Sequence, residues 1–79
     1  MGKQKKSIGI LILLDELFTK KILSEHDFCA EYQISNPTFE RYISDLRSFL
    51  QEKHPEYEIV YDSKDKIYRL VDANLWLLN

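Results

Sequence analysis

The segment SNPTFERYISDL, residues 35–46, decides the fold. It opens on a serine, a helix N-cap type whose side-chain oxygen accepts an otherwise orphaned backbone N–H. Pro37 falls in the first turn, where the missing N–H costs nothing. Phe39, Ile43, Leu46 and then Leu50 recur at helical spacing. With Phe39 set at 0° and about 100° per residue, the other three lie within about 40° of it. Arg41 falls near 200°, away from that apolar stripe, and Tyr42 near 300°, at the core boundary, a position suited to packing more than to outside contact. Ile34 before the cap and Phe39 after it form a hydrophobic staple. The spacing predicts an amphipathic helix over 35–53.

The same grammar stands just upstream. Ser24 has the place of an N-cap, Asp27 follows three residues on, and Leu23 with Phe28 supplies a second staple. A short helix over 24–32 is expected, separated from the longer one by about three residues, the pattern of a helix-turn-helix unit. Before it, Ile10, Leu13, Leu14, Leu17 and Phe18 recur at i, i+3, i+4, i+7 and i+8, so a first helix over 7–19 presents a wide apolar face to the core. TKKILS, residues 19–24, reads as a polar hinge. After Pro55 the period changes to two: YEIVYD and IYRLVD alternate around the polar SKDK, a two-stranded hairpin near 57–71 with Tyr57, Ile59 and Tyr61 on one face. The expected class is α+β, with a core of Leu13, Leu17, Phe28, Ile34, Phe39, Ile43, Leu46 and Leu50. Residues 1–6 form a basic arm, 7–72 the folded domain and 73–79 an apolar tail.

Seventy-nine residues with 44% apolar and 13% aromatic content suit one small domain with its own core. The single cysteine, Cys29, precludes an internal disulfide and a cysteine zinc site, and fits a reducing cytoplasm. The apolar run Ile8 to Leu14 is too short to span a bilayer, and Asp15–Glu16 stands where a signal peptide would be cleaved, so no membrane partner is expected. His26 and His54 stand far apart without a ligand set, and neither a nucleophile–base arrangement nor a glycine-rich phosphate loop exists. The chain reads as a non-enzyme with no metal and no cofactor. Net charge is −2, distributed as +3 over 1–6, −3 over 7–34, zero over 35–53 and −2 over 54–79. A domain that holds DNA unaided is usually basic; this one is not.

Three helices and a β-hairpin make the winged helix-turn-helix architecture, and FCAEYQISNPTFERYISDLRSFL carries a closer resemblance. It is similar to the N-terminal DNA-binding domains of DeoR-type and Mga-type bacterial transcription regulators. Phe28, Tyr32 and Ile34 match their apolar positions, Ser35 their cap, Thr38 their threonine, and Arg41 their arginine. Phe39, Ile43 and Leu46 match the core positions of the third helix, and Tyr68 and Leu70 the Tyr-x-Leu ending of the wing. The resemblance spans residues 8–71. Cys29 replaces a usual alanine, a change of little bulk. Gln33 replaces a usual glycine, so the turn is expected either to strain or to bend differently. Pro37 and Glu40 occupy exposed positions where basic or polar donors are common.

The resemblance implies binding to double-stranded DNA with the third helix in the major groove. Arg41 suits a bidentate bond to guanine or a phosphate contact, and equally an i,i+4 pair with Asp45. Asn36 and Thr38 lie in the first turn, suited to base edges or to local capping; Ser35 caps and can touch phosphate. Lys64 and Lys66 at the hairpin tip can reach the DNA backbone, with Asp62 and Asp65 beside them weakening the field. Lys3, Lys5 and Lys6 suit a backbone-tracking arm. The alternative is a winged-helix protein-interaction module that recruits, inhibits or mimics nucleic acid, favoured by the net acidity and the apolar tail. Leu75, Trp76, Leu77 and Leu78 form a consecutive apolar run suited to a protein partner, to a homodimer, or to closing the domain's own core over the first helix.

Overall fold

The computed structural model describes residues 6–72. Lys3 and Lys5 of the basic arm and Leu75, Trp76, Leu77 and Leu78 of the tail lie outside the described residues. The elements run α1 (Lys6–Lys20), β1 (Ile22–Ser24), α2 (Glu25–Tyr32), α3 (Asn36–Lys53), β2 (Tyr57–Asp62) and β3 (Ile67–Asp72). None of the described helices is long and apolar enough to cross a membrane.

Both serine caps form as the sequence predicts. Ser24 Oγ accepts the Asp27 N–H at 3.2 Å and Ser35 Oγ the Thr38 N–H at 3.3 Å. Gln33 closes α2 in the left-handed region (φ 55°, ψ 49°), its N–H donating to the Cys29 carbonyl. The turn thus keeps the geometry that glycine adopts freely, and a side chain there costs roughly 1 kcal/mol.

The expected two-stranded wing is a three-stranded antiparallel sheet of order β1-β3-β2. Ile22–Ser24, assigned by sequence to a polar hinge, pairs with the far edge of β3 in the register Ile22↔Arg69 to Ser24↔Ile67. Lys21 takes a left-handed φ of 69° to turn the chain out of α1, and its carbonyl accepts the Leu70 N–H at 2.9 Å. Three residues are too few to display a period, so only the partner edge reveals the strand.

The core lies between the helices and one face of this sheet. Leu13, Leu17, Leu23, Phe28, Phe39, Tyr42, Ile43, Leu46, Leu50, Ile59 and Leu70 are buried; Ile34, expected among them, is only half-buried and packs at the margin, next to the α2–α3 turn. Each such aliphatic or aromatic side chain contributes about 1.5–3 kcal/mol on burial. Tyr42 buries its ring against Gly9 of α1, where a β-carbon would come 2.7 Å from the tyrosine hydroxyl. That glycine lets α1 and α3 meet closely. Tyr32 ties α2 to α1 by donating to Glu16 Oε2 at 2.9 Å, a bond that pushes the phenol up to about 12.

Candidate nucleic-acid interface

The position of α3 follows from its aromatic anchor. The Phe39 ring packs 5.7 Å from Phe28 of α2 and 5.5 Å from Tyr68 of β3, and Tyr68 stacks 4.9 Å from Tyr61 of β2. A ladder of rings therefore runs from the core to the surface, ending at Tyr61, which is 46% exposed. Arg47 fastens the other side: its Nε and Nη2 donate to the Ile59 carbonyl at 3.3 and 3.2 Å. Together these contacts fix the angle between α3 and the hairpin.

With Phe39 turned inward, the opposite face of α3 is open to solvent. Pro37, Arg41, Ser44 and Ser48, spaced i, i+4, i+7 and i+11, are all exposed. Arg41 makes no ion pair or side-chain hydrogen bond among the described residues, so the pairing with Asp45 does not form. Ser44 and Ser48 escaped the sequence reading although the same helical wheel contains them. Small hydroxyl residues give no signal until the arginine beside them is recognised. At the start of α3, Ser35 donates to Thr38 Oγ1 at 2.9 Å. Both hydroxyls are engaged with each other, Thr38 is half-buried, and Asn36 next to them is exposed.

At the hairpin tip the acidic neighbours are already occupied. Asp62 Oδ1 accepts the backbone N–H groups of Lys64 at 2.9 Å and Asp65 at 3.3 Å, and Arg69 pairs with Asp62 at 3.3 Å and Asp65 at 3.8 Å. The Asp65 N–H, with the Lys64 N–H and the Arg69 guanidinium, holds the Asp62 carboxyl below the usual range. Lys64 and Lys66 are exposed, and neither forms an ion pair with another described residue. Lys66 adopts a left-handed φ of 57° and lines a surface cleft with Tyr61, Asn36, Glu25, His26, Cys29 and Ala30. The fold thus brings Asn36 and Lys66, thirty positions apart, to one place, while Lys64 does not line that cleft.

Acidic residues complicate this surface. Burial pushes the Glu25 carboxyl up from the usual range, and the Glu40 carboxylate pushes it the same way. Glu25 Oε2 is buried without a hydrogen-bond partner. Burial, then Glu25 and Glu40, also raise the Cys29 thiol and the Tyr68 phenol. Glu25 and Glu40 therefore lie close enough, where α2 meets α3, to act on each other and on Cys29 and Tyr68. Among the described residues no group of three or more His, Cys, Asp and Glu side chains is arranged to hold a metal ion.

The family model described as the Mga helix-turn-helix domain matches residues 4–66. Comparison with curated proteins and with solved structures gives no match.

Proposed function

The chain belongs to the Mga helix-turn-helix family, and from that premise we propose that it binds double-stranded DNA sequence-specifically, as a small transcriptional regulator or the DNA-reading module of one. α3 enters the major groove with Arg41 reading a base or gripping a phosphate, Asn36 and Thr38 at its leading turn, and Ser35 on the backbone. Lys64 and Lys66 touch an adjacent stretch of backbone from the hairpin. The observation that carries this reading is Arg41 itself, exposed and unpaired in the middle of the outward face of α3. The setting is the cytoplasm, and the activity requires neither catalysis nor a cofactor.

A second reading has specific support. Glu40 on α3 and Glu25 beside it oppose phosphate, and α1 exposes Leu11 at 58% and Ile8 at 43%, so the domain is also suited to a protein partner. Homodimerisation through Leu75, Trp76, Leu77 and Leu78 is compatible with either reading, since paired half-sites double a modest phosphate footprint. Fluorescence anisotropy with mixed-sequence duplex DNA over a salt series separates the two. The DNA reading requires binding that weakens linearly in log affinity against log salt; absence of binding even at low salt selects the protein-interaction reading. Selection from random duplexes then supplies the site.

A further inference from the structure

The cleft between α2, the start of α3 and the hairpin holds polar groups that no internal contact uses. Tyr61 projects there from β2 at the end of the ring ladder, so its position is fixed by packing on Tyr68 rather than by loop geometry. The Tyr61 hydroxyl, the Asn36 amide and the Lys66 ammonium make no hydrogen bond or ion pair with any described residue. All three can donate, and they come from three different segments. His26 lies on the same lining, with its Nδ1 3.4 Å from Asp27 Oδ1.

One acidic residue lines the same cleft. That residue is Glu25: its Oε2 is buried, and the Glu40 carboxyl beside it acts on it directly. No lysine or arginine forms an ion pair with it among the described residues. Three unengaged donors at the rim of the face that carries Arg41 describe a seat for an oxyanion, and a carboxylate within the same lining weakens that seat without abolishing it. The acidic residue explains how a domain of net charge −2 would hold DNA loosely except where base contacts add to the backbone contacts.

We propose that Tyr61, Asn36 and Lys66 together grip one phosphate of the DNA backbone between the hairpin and α3, and that Glu25 sets the strength of this grip by repulsion. The inference rests on the DNA-binding reading and adds to it a contact residue, Tyr61, and an antagonist, Glu25. The phosphate bridges two parts of the fold, so it orients α3 in the groove as well as adding affinity.

The test uses the full chain, a mixed-sequence DNA duplex and anisotropy titrations over a salt series, with thermal denaturation confirming that each variant remains folded. Tyr61→Phe keeps the ring and its stacking and removes only the hydroxyl; it should weaken binding roughly tenfold, the worth of a hydrogen bond to a charged acceptor. Lys66→Gln should lower the slope of log affinity against log salt by about one. Glu25→Gln should tighten binding roughly two- to fivefold, the scale of a partly solvated charge interaction. A gain of affinity on losing this one negative charge is an effect that structural damage does not produce. If the parent binds and Tyr61→Phe and Glu25→Gln bind as it does, the phosphate seat is wrong while the DNA-binding reading stands. If Glu25→Gln binds more weakly than the parent, the assigned role of Glu25 is overturned. If the parent fails to bind DNA at low salt, the functional reading falls and takes this inference with it.

Discussion

Helices α2 and α3 begin alike and diverge within a single turn. Each starts on a serine whose Oγ accepts the N–H three residues on. The first turn of α2 then carries Glu25 and Asp27, whereas the first turn of α3 carries no acid. A helix N-terminus has a partial positive charge, and acidic side chains in the first turn satisfy it internally. α2 therefore carries acid at its positive end, with Asp27 placed to meet the dipole and Glu25 raised instead by burial and by Glu40. α3 presents Asn36, Pro37 and Thr38 and carries no acid of its own there, an end suited to an outside anion. The shared cap grammar makes both helices; the charge of the turn after it separates the supporting helix from the one suited to touch DNA.

The largest effect should come from removing the anchor common to both helices. Phe39→Ala takes away the ring that contacts Phe28 and Tyr68 and should cost about 3–5 kcal/mol in urea denaturation. A loss below about 1 kcal/mol would mean that the two helices are not held by this ring, since cavity formation at a buried aromatic is expensive. Arg41→Ala should leave that stability unchanged and cost about 1–3 kcal/mol of DNA affinity if Arg41 reads a base. A mutant binding every site as well as the parent would remove Arg41 from the interface.

The caps sharpen the comparison directly. Ser24→Ala and Ser35→Ala should each lower stability by about 1 kcal/mol. At temperatures where both variants are folded, Ser35→Ala should weaken DNA binding more than Ser24→Ala, because in the proposed docking the α3 end enters the groove while the α2 start lies at its edge. Equal losses of affinity from both would erase the distinction between the two helix starts.

The smallest effects are in the pH response. Glu25 is raised by burial and by Glu40, so it favours the fold when protonated, and that contribution is lost as pH rises through its folded-state titration. Asp62 is held low, so its contribution is present above the ordinary carboxylate range and lost as pH falls through its folded-state titration. Carboxyl chemical shifts tracked against pH should therefore place Glu25 above and Asp62 below ordinary side chains of their type. The reverse order would contradict the burial of Glu25 and the turn around Asp62.

The parts legible in the sequence are those governed by local rules. Ser24 and Ser35 mark their helices because cap chemistry acts over three residues, and the stripe Phe39, Ile43, Leu46 and Leu50 is buried because it holds one period through successive turns. β1 is not legible, since Ile22–Ser24 is a strand only by virtue of the edge of β3, more than forty positions away. The half-burial of Ile34 likewise depends on how the α2–α3 turn sits on its neighbours. On the candidate site, Arg41 stands out on the helical wheel, but Tyr61 reads as one more alternating strand residue. Glu25 and Glu40 read as two ordinary surface acids, and only the crossing of α2 and α3 brings them together. Arg47 gives no sign of its bond to the Ile59 carbonyl, because that contact links a helix to a strand twelve residues on.

The most direct test of α3 as the DNA-reading element is an amide chemical-shift map of the labelled chain titrated with its selected duplex, or with mixed-sequence DNA until a site is known. The largest perturbations are expected along the outward side of α3, at Arg41, Ser44 and Ser48, with a second group around the cleft and the hairpin tip at Asn36, Tyr61, Lys64 and Lys66. The first turn of α2 should move less than the first turn of α3. Perturbations confined to the exposed side of α1 around Ile8 and Leu11, with α3 unmoved, would contradict that assignment.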